Sequence, residues 1–67
     1  MNTTEVKKRM KDKNITGSMM ARELGMDPST YYRKMRGNGM EFSAVDMIVF
    51  KRVLELDPKQ AVDFLLS

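Results

Sequence analysis

Arg33, Lys34 and Arg36, directly behind the pair Tyr31-Tyr32, are the residues whose types and spacing could do chemistry in this sequence. Guanidinium forks match phosphates and guanine edges, an ammonium supplies a mobile point charge, and a phenol stacks or hydrogen-bonds. That chemistry is recognition of a polyanion. Bond-breaking chemistry has far less to work with. Histidine and cysteine are both absent from the 67 residues, which removes the commonest general base, the usual nucleophile–base pairs and most transition-metal sites. None of the spacings among the nine Asp and Glu residues resembles a calcium loop. Gly37-Asn38-Gly39 lacks the lysine-ended phosphate loop, and a dinucleotide fingerprint would need glycine where Phe42 stands. It reads as a turn. An enzyme is not expected, nor a metal or a cofactor.

The charge is lopsided. Residues 1–36 hold nine bases and four acids, and residues 37–67 hold three bases and five acids, so a net +5 half precedes a net −2 half. With a pI near 9.5 this favours a polyanionic partner, nucleic acid before acidic membrane. The longest apolar run, Met47 to Phe50, is far below the roughly 20 residues of a spanning helix. Thr, Glu and Lys follow Met1 where a signal peptide would need an apolar stretch. The expectation is an intact, soluble, intracellular domain over residues 1–67.

Five helices must position those residues. Thr4 can cap the first, with Val6 and Met10 inward and Asn14 as its stop; Lys7, Lys8 and Lys11 then face solvent, with Arg9 and Lys13 beside the stripe. Thr16 caps a second, whose inward face is Met20, Ala21 and Leu24 and which Gly25 ends. Asp27-Pro28 starts a third, with Asp27 as its cap and Pro28 at the first helical position, running to about Arg36 with Tyr31 and Met35 on one face. Ser43 and Asp46 form a capping box for a fourth, reaching about Glu55 with Ala44, Met47, Ile48, Phe50 and Leu54 inward. Asp57-Pro58 repeats the device for a fifth, ending at Leu66. The eight methionines read as core filler. Strand-like alternation is missing, so the class is all-α.

Within Thr16–Gly37, TGSMMARELGMDPSTYYRKMRG, a small Ala21 permits close helix crossing, Gly25 permits a left-handed turn, and Met20, Leu24, Met26 and Tyr31 seal the angle. This spacing resembles the lambdoid phage repressor and Cro-type helix-turn-helix family, over nearly the whole chain. SAVDMIVFKRVLELDP is similar to that family's fourth helix and following turn. The resemblance implies a compact five-helix domain of the lambda-repressor kind, with the helix-turn-helix at helices two and three (about 16–37). The third helix would enter the major groove. Base contacts would then fall on Pro28, Ser29, Tyr32 and Arg33, and phosphate contacts on Thr16, Gly17, Ser18, Asp27, Thr30, Arg36 and Asn38. Three features depart from the family. Gly17 stands where a bracing glutamine is common, Lys34 where an apolar residue is usual, and Met10 and Met35 where some members pair Arg with Glu.

Family members dimerise near the C-terminus. Val45 and Val49 lie on a second apolar stripe of the fourth helix, and Phe64, Leu65 and Leu66 crowd the end of the chain. The expected interface therefore comprises these five, with a dimerisation helix at about 57–66. The alternative is that Phe64 and Leu65 only close the monomer's core, leaving a weak dimer that forms mainly on DNA. The partner would be a double-stranded operator, palindromic in sequence, in a bacterial host's cytoplasm or nucleoid. The regulator would be a Cro-like repressor occluding a promoter. No small-molecule ligand and no membrane is indicated; the first helix has no Trp or Phe anchor. The alternatives are an antirepressor or other protein-interaction module on the same fold, and a DNA-binding antitoxin.

Overall fold

Capping, more than intrinsic propensity, sets where these short helices begin. In the computed structural model, which describes residues 1–66, α1 is Thr3–Asp12, α2 Gly17–Leu24, α3 Pro28–Arg36, α4 Ala44–Val53 and α5 Pro58–Leu65. Asn2, not Thr4, caps α1, its side-chain oxygen accepting from the Glu5 N–H at 3.2 Å. Thr16 Oγ1 accepts from Met19 N–H at 3.1 Å. Ser43 and Asp46 form the full reciprocal box (2.9 and 3.1 Å), as do Asp57 and Gln60 (3.1 and 2.8 Å). Asp27 is the exception. It occupies the cap position of α3, but its carboxylate makes no capping bond, so Pro28 at the start sets that boundary.

Four chain reversals share one device. Asn14, Gly25, Asn38 and Glu55 take left-handed φ values of 58, 70, 60 and 53°. The N–H of the next residue then reaches the carbonyl five positions back: Ile15 to Met10, Met26 to Ala21, Gly39 to Lys34 and Leu56 to Lys51, at 2.8 to 3.0 Å. These bonds satisfy carbonyls that the helix ends leave open. Ile15, Met26 and Leu56 also turn inward against the core, so the reversals fix the angles between helices.

The core comprises Val6, Met10, Met20, Ala21, Tyr31, Met35, Phe42, Phe50, Leu54, Leu56 and Leu65. Helix α2 packs on α3 and α4, and α1 on α5. A run of rings ties the layers: Tyr31 lies 6.1 Å from Phe42, and Phe42 lies 5.0 Å edge-on to Phe50. Phe42 and Leu56, which the helical stripes do not mark, are therefore core residues contributed by loops.

Helix α4 departs from its expected face. Ala44 is exposed and Ile48 is 65 % exposed, whereas Phe50 and Leu54 are fully enclosed. Two residues of helix, about 200° of rotation, separate Ile48 from Phe50, so both cannot face inward. The helix also stops at Val53, with Leu54 closing it. Arg9 on α1 binds this end, donating to the carbonyls of Leu54 at 3.0 Å and Glu55 at 3.2 Å. Among the described residues no helix is long and apolar enough to cross a membrane.

Candidate nucleic-acid interface

The 3.6-residue repeat sorts α3 into two sides. Tyr31 and Met35 face inward and are buried, while Ser29, Tyr32, Arg33 and Arg36 share the exposed side. Pro28 (exposed) and Thr30 (half-buried) flank that side. Asp27 and Asn38 lie in the exposed turns at either end of the helix. The four positions expected to meet bases thus lie on one helix, with three of them on one face.

Arg33 is not idle in the free protein. Its guanidinium meets Glu41 at 2.7 Å, with both side chains more than half exposed. A solvent-exposed pair of this kind contributes about 0–1 kcal/mol, so it restrains Arg33 without withholding it. Lys34 lies with its ammonium 5.8 Å from the Phe42 ring centre and donates to the Glu41 carbonyl at 3.5 Å. Its aliphatic stem thereby lies along α3 toward the 37–43 loop.

The N-terminus of α2 is coupled directly to this face. A Cβ added to Gly17 would overlap the Tyr32 phenol, so the ring occupies the space a side chain at 17 would take. Tyr32 also meets Tyr31 edge-on at 5.3 Å and remains 46 % exposed. Tyr32 from α3 thereby packs against the start of α2. Thr16 and Ser18 are exposed beside it, and the Thr16 hydroxyl, already accepting from Met19, keeps its proton to donate.

Between α1, the 14–17 turn and α3 lies a cleft of about 680 Å³, lined by Met10, Ile15, Gly17, Tyr31, Tyr32 and Met35 among others, with Lys7, Lys11 and Arg36 also on its walls. Lys7 and Lys11 are exposed, as their place away from the Val6–Met10 stripe predicts. The angle at which α1 meets α3 nevertheless brings them to the same cleft as Arg36. They were not among the expected site residues; their i, i+4 spacing was visible in the sequence, but their approach to α3 was not. On the cleft floor the Tyr31 hydroxyl donates to Met10 Sδ at 3.4 Å. Burial pushes the Tyr31 phenol up to about 12, with neighbouring Tyr32 adding to the shift.

The residues expected at a dimer interface separate. Leu65 is 4 % exposed and closes the core, and Phe64 packs against that core, its carbonyl accepting from the Asn2 N–H at 2.8 Å. Val49 is half-buried, while Val45 and Leu66 are exposed. The open apolar surface of α4 and α5 is instead Val45, Ile48, Val62 and Leu66. Among the described residues no group of three or more acidic side chains could hold a metal ion. Compared with known proteins, the chain matches no family model, no curated protein and no solved structure.

Proposed function

We propose that this chain is a sequence-specific double-stranded DNA-binding regulator in which α2 and α3 act as a helix-turn-helix. The observation that carries the reading is the exposed face of α3, where Ser29, Tyr32, Arg33 and Arg36 project opposite the buried Tyr31 and Met35. A nine-residue helix is about 13 Å long, a fit for a major groove about 12 Å wide. Arg33 reads guanine through its two-pronged edge, Ser29 and Tyr32 meet a base edge or phosphate, and Pro28 offers apolar contact to a thymine methyl. Thr16, Gly17 and Ser18 present amides and hydroxyls to the phosphate backbone at the start of α2. Asp27, Thr30, Arg36 and Asn38 border the same strand. The regulator represses by occupying a promoter, as a Cro-like protein does, and two copies joined through α4 and α5 read a palindromic operator.

Selection from random duplex DNA at about 0.15 M salt, repeated with Arg33→Ala, tests this reading. The expected result is an enriched, roughly palindromic site that blurs at particular base pairs in the variant, with discrimination there falling by about 1–3 kcal/mol. Salt-sensitive retention of all DNA without enrichment would overturn it, in favour of a protein-interaction module such as an antirepressor.

A further inference from the structure

The cleft between α1, the 14–17 turn and α3 has a composition that specifies a ligand. Its floor carries two thioethers, Met10 and Met35, and two phenol rings, Tyr31 and Tyr32, with Ile15 beside them. Thioethers and ring edges favour a flat aromatic body over an alkyl chain. Its cations are Lys7, Lys11 and Arg36; among the described residues none of the three is in an ion pair or side-chain hydrogen bond, and no carboxylate lines the cleft. The Tyr31 hydroxyl, almost wholly enclosed, has only the weak acceptor Met10 Sδ as its partner. About 680 Å³ lies within the usual range for a small-molecule site.

We propose that this cleft binds a small planar aromatic carboxylate, its ring lying across the floor that Met10, Met35, Tyr31 and Tyr32 form and its carboxylate meeting Lys7, Lys11 and Arg36. Thr16, Gly17, Tyr32 and Arg36 line the cleft and also belong to the surface assigned to DNA, so ligand and DNA exclude one another. That exclusion rests on the DNA-binding reading; the ligand site does not.

Methionine-methyl NMR of the full chain, titrated with 2-naphthoate, tests the site. The Met10 and Met35 methyls are expected to shift saturably while exposed Met40 stays still, and Lys7→Gln with Lys11→Gln is expected to weaken binding by about five- to tenfold. Both lysines are exposed and unpaired, so that variant keeps its fold, checked by its own spectrum. Equal binding of 2-naphthalenemethanol would show that charge plays no part and overturn the assignment. Matching shifts from inorganic phosphate would reduce the cleft to a phosphate site and also overturn it. So would unmoved Met10 and Met35 methyls at millimolar naphthoate. A second arm measures duplex affinity with and without naphthoate. Unchanged affinity despite shifted methyls would overturn the exclusion alone, and absent sequence preference would fail the DNA-binding reading while leaving the ligand arm intact.

Discussion

At the residue scale, Tyr32 and Gly17 form a pair whose members explain one another. Glycine begins α2 because the phenol fills the volume of its missing Cβ. Gly17→Ala should therefore destabilise the fold by about 1 kcal/mol through overpacking. The same change in a Tyr32→Ala background should be neutral or stabilising, since alanine is the better helix former. Urea melts of the four proteins give the coupling, and additive effects would show that the two side chains do not compete for space. Tyr31 gives a second prediction. Its folded pKa lies above the ordinary value of 10.0, so the fold favours the neutral phenol. Its contribution is complete below about pH 10 and declines as pH rises from there toward 12. Stability curves for Tyr31→Phe should lack that decline relative to the unaltered chain, and parallel curves across this window would contradict the assignment. The exposure of Tyr32 and Arg33 was legible in the sequence, because one step along a helix from buried Tyr31 turns a side chain outward. The approach of Tyr32 to Gly17, and of Lys7 and Lys11 to Arg36, depends on inter-helix angles that no local pattern encodes.

At the element scale, the left-handed reversals carry those angles. Gly25 is the clearest case because a Cβ there meets nothing within 4 Å, leaving only the backbone cost of a φ of 70°. Gly25→Ala should destabilise by about 1–2 kcal/mol with little change in denaturant slope, measured by urea unfolding. A cost near zero would mean that the α2–α3 turn relaxes without penalty. The same reversals explain what the stripes missed. Ile15, Met26 and Leu56 are single apolar residues just after a left-handed position, and Phe42 is a lone ring in a turn-rich loop between Tyr31 and Phe50. Helical periodicity has nothing to say about residues outside helices. Inside α4 it failed for another reason. Val45, Met47, Ile48, Val49 and Phe50 are apolar almost all round, so the stripe is ambiguous, and packing against α2 and the Phe42 ring decides for Phe50 over Ile48.

At the scale of the whole molecule, the apolar residues left outside are as informative as the core. Val45, Ile48, Val62 and Leu66 are all more than half exposed, and the last three border one shallow groove between α4 and α5 with Met47 and Lys51. A domain of this size buries a smaller share of its surface than a larger one, about 60 %, and a second copy laid on this groove would cover the patch. A two-fold contact uses the same patch twice, so one substitution acts on both sides of the interface. Ile48→Glu, on the exposed side of α4, should therefore leave the monomer's stability within about 0.5 kcal/mol while abolishing concentration-dependent association. The measurement is sedimentation equilibrium from micromolar to millimolar protein, with and without the selected duplex. Leu65→Ala supplies the contrast. It removes a buried side chain and should cost the monomer about 2–5 kcal/mol whether or not a dimer forms. If Ile48→Glu associates as the unaltered chain does, the α4–α5 groove is not the contact. If the unaltered chain remains monomeric even on the duplex, two α3 helices cannot be joined through this face, and a palindromic site would have to be read by two independent copies.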